Sequence, residues 1–96
     1  MTYTFKDFLL KEAIYEYDNL SDAEMLREAI KEELHATNVY TAMERKTKNP
    51  KLKKVFNHVA KEEMVHAEEF KTILKEIETY IEQAEKEAKK ELDEYL

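Results

Sequence analysis

Residues 44–54 read Glu44-Arg45-Lys46-Thr47-Lys48-Asn49-Pro50-Lys51-Leu52-Lys53-Lys54. The only proline of the 96-residue chain sits at the centre of this stretch. Proline fixes its own φ and steers the preceding residue out of the helical region, so Asn49 closes the helix before it. Proline also suits the first turn of a helix, so a new one opens at Pro50. A link this short turns the two helices back on each other as an antiparallel hairpin.

Working backward, the first long helix is expected over residues 22–48. Ser21 followed by Glu24 fits a capping box, and Leu20 can staple onto Met25. Its inward positions are Leu26, Ala29, Ile30, Glu33, Ala36, Thr37, Tyr40 and Met43. Working forward, the second helix runs over residues 50–78. It carries Leu52, Phe56, Val59, Ala60, Glu63, Ala67, Phe70, Leu74 and Ile77 on one face. The stripe continues through Ile81, Ala84, Ala88 and Leu92, so residues 79–96 form a helical tail, continuous with that helix or broken near Thr79. A short helix over residues 5–17 precedes the hairpin. All of residues 1–96 form one domain. A hairpin exposes half of each apolar stripe, and two hairpins close a four-helix bundle. The expected fold is therefore all-α, with a homodimer as its smallest complete core.

Composition agrees and excludes much else. There is no Gly, so tight turns at positive φ are disfavoured and long helices with short links are favoured. There is no Cys, which removes disulfides, thiolate zinc sites and thiol redox chemistry. No apolar run approaches the ~20 residues of a membrane span. The N-terminus has no signal-peptide core, which favours the cytoplasm. A net charge of −6 makes a poor nucleic-acid binder.

Two acids and a histidine fall where apolar residues belong. On a helical wheel Glu33 lies within about 20° of Leu26 and Tyr40. Glu63 lies within about 20° of Phe56 and Phe70, and His66 sits one turn further on, also inward. Glu63-Met64-Val65-His66 is Glu-x-x-His on a helix, which aims a carboxylate and an imidazole at one point. Counting from the turn, Glu33 and Glu63 are nearly level. Carboxylates among aliphatics need a proton, a cation or a metal. Two chains supply four Glu and two His, the ligand inventory of a di-iron or di-manganese carboxylate bundle. Four carboxylates balance two divalent ions per dimer interface, and oxygen and imidazole donors suit Fe or Mn, with Zn or Ca as substitutes. Against this stands the bland reading, in which each Glu is a rim residue and Tyr40 merely packs.

Other polar residues rank lower. Glu32 and Glu62 lie about 100° from the central acids, at the edge of the stripe, as solvated rim acids. His35 and His58 point about 160° and 140° away from the seam. Met43 and Met64 fill gaps between helices, and Lys51, Lys53 and Lys54 form a solvated face.

The stretches Glu32-Glu33-Leu34-His35-Ala36-Thr37-Asn38-Val39-Tyr40 and Glu62-Glu63-Met64-Val65-His66-Ala67-Glu68-Glu69-Phe70 resemble the paired motifs of rubrerythrin- and ferritin-like proteins. Half-length chains narrow the resemblance to the encapsulated ferritin-like family, over residues 21–77. The resemblance implies a site across a two-fold interface, with Glu33, Glu63 and His66 as metal ligands. It implies oxidation of ferrous iron, a ring of five dimers, and residence inside an encapsulin shell. It places Tyr40 close to the metals, among the catalytic residues, and Glu32, His35 and Glu62 around the site or on the iron's way in. This chain departs from the pattern in three places. Val39 stands where some relatives carry Trp, and His35 replaces an entry carboxylate. The C-terminus does not resemble a Leu- and Gly-containing shell-docking tail.

Ferroxidase chemistry is the function expected. A rubrerythrin-like peroxidase would share the same ligands, and the lack of a cysteine-rich electron-feeding domain weighs against it. A structural bundle with incidental metal would bind weakly, and a metal-dependent oxygenase would need a substrate opening that the sequence does not show.

Overall fold

A computed structural model describes residues 2–95, and their regular structure is three helices in the order α1 (Phe5–Tyr17), α2 (Asp22–Lys46) and α3 (Pro50–Glu94). Helix α1 starts at Thr4, whose hydroxyl accepts from the Asp7 backbone N–H at 3.1 Å while the Asp7 carboxylate accepts from the Thr4 N–H at 3.0 Å. Those bonds hold the Asp7 carboxyl below its usual range, the backbone N–H contributing most. Ser21 and Glu24 make the expected capping box at the start of α2, each accepting from the other's backbone at 3.2 Å.

Helix α2 ends at Lys46, two residues before the expected Lys48. Thr47 turns extended, at φ −69° and ψ 142°, and its hydroxyl accepts from the Asn49 N–H at 3.2 Å. Asn49 then caps α3, its side-chain oxygen accepting from Lys51 and Leu52 at 2.9 and 3.2 Å. Pro50 occupies the first turn of α3, where its missing N–H costs nothing.

Helix α3 is continuous to Glu94, with no break near Thr79. The expected tail reached Leu96, which lies outside the described residues. At 45 residues α3 outruns the 25 residues of α2. The two pack antiparallel, and the molecule measures 70 × 41 × 16 Å, one helix layer thick.

Among the described residues only Ala60 and Ala67 are buried, at 5% and 0% exposure. Both lie on the flank of α3 that meets α2, one turn either side of Glu63. Small side chains at these positions leave room for two helix backbones to approach closely. One layer toward the hairpin turn, Tyr40 stacks on Phe56 with ring centroids 6.4 Å apart. One layer toward the open end, Leu26 and Phe70 line a shared apolar groove. Beyond these layers the hairpin is tied by Asn57, which donates to both Glu44 carboxylate oxygens at 3.2 Å, and by Arg27, which donates to Glu78 at 3.0 Å. Met25, Met43, Val55 and Ile73 remain exposed along the seam's open side.

Candidate metal centre

Glu33 and Glu63 reach the same level because each sits about two turns from an aromatic or aliphatic partner in the layers above and below. Helix α2 places Glu33 in the seam, with Thr37 one turn on donating to the Glu33 carbonyl at 2.9 Å. Helix α3 places Glu63 and His66 opposite. One ligand atom from each of Glu33, Glu63 and His66 lies within 4.8 Å of the others. His66 Nδ1 stands 3.6 Å from Glu33 Oε2.

The electrostatics of this trio are unresolved by protein alone. Glu33 Oε2 is buried and accepts no hydrogen bond. The Glu63 carboxyl is held above its ordinary range, first because its protonated form shares a hydrogen with Glu33, then by burial and by the Glu33 charge. The nearby His66 opposes that rise. A buried oxygen with no donor, facing a second carboxyl that favours its proton, is an arrangement that a cation relieves. The donor set of two carboxylates and one imidazole fits Fe, Mn or Zn. Three ligands leave coordination positions open on the exposed side of the seam, where His66 is 47% accessible.

The remaining sequence candidates lie outside this trio. Tyr40 is half-buried in the adjacent layer against Phe56. Glu32 and His35 are exposed on α2. Glu62 is also exposed, and its carboxylate pairs with His58 at 2.8 Å, a helical i,i+4 contact. Sequence reading missed the Glu44–Asn57 pair beside the seam. Its signal was present, since Glu44 lies three turns after Glu33 and so shares its face.

A family model described as Rubrerythrin matches residues 24–95, a span holding the whole trio. No curated protein and no solved structure matches the chain.

Proposed function

This chain is a member of the rubrerythrin family, and on that premise we propose that two copies join across the open side of the hairpin to oxidise ferrous iron at a shared carboxylate centre. The observation that carries the reading is the convergence of Glu33, Glu63 and His66 on one point with Glu33 Oε2 buried and unpaired. A second hairpin doubles the ligand set to four carboxylates and two imidazoles, enough for two metal ions. It also covers Met25, Met43, Val55 and Ile73, which a lone hairpin leaves in water.

The helix faces support the same arrangement. Arg27 marks the flank of α2 that meets α3 of its own chain. Ala29 and Ala36 lie on the opposite flank, one turn either side of Glu33. They present to the partner's α3 the same small-residue surface that Ala60 and Ala67 present to α2 within the chain. Close approach on both sides at one level is what a compact two-metal centre needs.

Iron is the substrate in this reading. Two ferrous ions held side by side lose one electron each to a dioxygen molecule, which with two protons leaves as hydrogen peroxide. Glu33 and Glu63 hold the ions and offset their charge, and the imidazole of His66 completes the set. Tyr40 and Phe56 on one side, and Leu26 and Phe70 on the other, exclude water along the seam. Family membership equally favours peroxide as the oxidant, accepting two electrons and two protons to give two waters. The ring of five dimers and the encapsulin shell rest on motif resemblance alone.

The test is anaerobic ferrous titration followed by separate exposure to dioxygen and to peroxide. Saturation at one iron per chain and rapid ferric formation are expected. Glu63→Ala should abolish both while retaining most helix content. Unchanged oxidation kinetics in that variant would overturn the reading, and the faster oxidant identifies the activity.

A further inference from the structure

Charge is unevenly spread along this chain. Residues 45–61 carry seven of its 16 lysines and arginines and none of its 22 acids. The stretch covers the last turn of α2, the link and the first turns of α3, so it forms the closed end of the hairpin. All seven cations are exposed. Among the described residues none of them is in a salt bridge, whereas Arg27, Lys71 and Lys86 each hold a carboxylate elsewhere. The two acids that border the stretch are already engaged, Glu44 by Asn57 and Glu62 by His58.

The fold accounts for only part of this charge. Arg45 and Lys46 complement the C-terminal dipole of α2. Lys51 and Lys53 do the opposite. They stand in the first turn of α3, where the dipole favours acids, and that turn holds no acid. Helices α1 and α2 both carry acids there. Cations that oppose their own helix and pair with nothing in the chain fit a ligand that supplies the negative charge.

The chemistry of this cap selects the ligand. Six of its seven cations are lysines. Lysine is a point charge that suits phosphate, whereas carboxylate recognition favours the arginine fork. Lys51, Lys54 and Lys61 lie along the outward face of α3 over about 15 Å, a span that meets several phosphates of a duplex. Phe56, the aromatic ring of the stretch, is half-buried against Tyr40, so no free base can stack on it. We propose that the closed end of the hairpin binds the phosphate backbone of a nucleic-acid duplex without reading its sequence. The net charge of −6, which argues against a general nucleic-acid binder, averages over this separation. The acidic remainder of the chain is repelled by the phosphates, so the contact is end-on.

The test is fluorescence anisotropy of a labelled DNA duplex of about 20 base pairs, with chelator present. Binding is expected at about 50 mM salt and should fall as salt rises, with a log–log slope of about −3. Lys51→Gln with Lys54→Gln should weaken binding about tenfold and reduce the slope by about two. Lys89→Gln with Lys90→Gln removes the same charge from the far part of α3 and should leave binding within about twofold of the parent. Circular dichroism checks that both variants stay helical. No binding at low salt, equal loss in both variants, or tighter binding to single-stranded DNA would overturn the proposal. Preference for polyglutamate or for anionic vesicles would also overturn it, by assigning the cap to an acidic protein or a lipid surface. Glu33→Gln with Glu63→Gln should bind DNA as the parent does, so failure of this contact and failure of the metal reading are seen separately.

Discussion

His66 on α3 reaches across the hairpin to Glu33 on α2, with Nδ1 3.6 Å from a carboxylate oxygen that is buried and otherwise unpaired. The contact joins residues 33 positions apart on different helices, and it places the imidazole where a bound cation would replace the missing donor. Several consequences can be measured.

Replacing Glu33 by Gln removes the negative charge at the orphaned oxygen. The metal-free protein should be as stable as the parent or more so, by about 1 kcal/mol. Divalent metal should then no longer raise its melting temperature, whereas the parent gains about 2.7 kcal/mol at a hundredfold excess over Kd. Thermal denaturation with chelator and with ferrous or manganous ion checks both halves.

The raised carboxyl of Glu63 gives a pH dependence with a definite sign. A group bound to its proton more tightly when folded stabilises the fold below the ordinary carboxylate range. That contribution is lost as pH rises through the raised value. Urea denaturation of the metal-free protein should show this loss, and Glu63→Gln should flatten it. Metal binding displaces the proton, so affinity falls as pH drops through the same window. Isothermal titration in buffers of different ionisation heat would report that proton release.

Ala67 is fully enclosed between α2 and α3. Enlarging it to Leu forces the helices apart and should cost about 1–3 kcal/mol. The same separation moves Glu33 from His66 without altering any ligand. Metal affinity should fall at least tenfold while helix content persists, as followed by circular dichroism and metal titration.

Tyr40 lies in the layer beside the trio, stacked on Phe56. Tyr40→Phe keeps the ring and should leave iron stoichiometry intact and oxidation within about twofold of the parent. Tyr40→Ala removes the ring from the seam and should destabilise the protein by about 3 kcal/mol. A selective rate loss in Tyr40→Phe, with stability unchanged, would assign the hydroxyl a chemical role instead.

Much of this was legible before any coordinates. The bounds of α1, the Ser21–Glu24 box and the helix start at Pro50 follow from rules acting over four or five residues. That Glu33, Glu63 and His66 fall along one seam follows from a 3.6-residue repeat, which the chain cannot evade once helical, although His66 itself stays exposed. Length was harder: the stripe from Leu74 to Leu92 is compatible with a bend, and only the structure shows α3 running straight through Thr79. The Glu44–Asn57 pair escaped notice because its two members lie on different helices: Glu44 falls on the inward face, but only the packing of α3 against α2 shows which residue it meets.

The amino-acid order alone determined which residues share a helix face and where the chain reverses, because helix periodicity and proline geometry are local. The tertiary structure decided how near Glu33 comes to His66, that Ala60 and Ala67 are the side chains enclosed at that level, and that α1 meets the hairpin at its Tyr17 end. Those distances depend on how two surfaces fit across a link, and no repeat within one helix encodes the size of the gap between two.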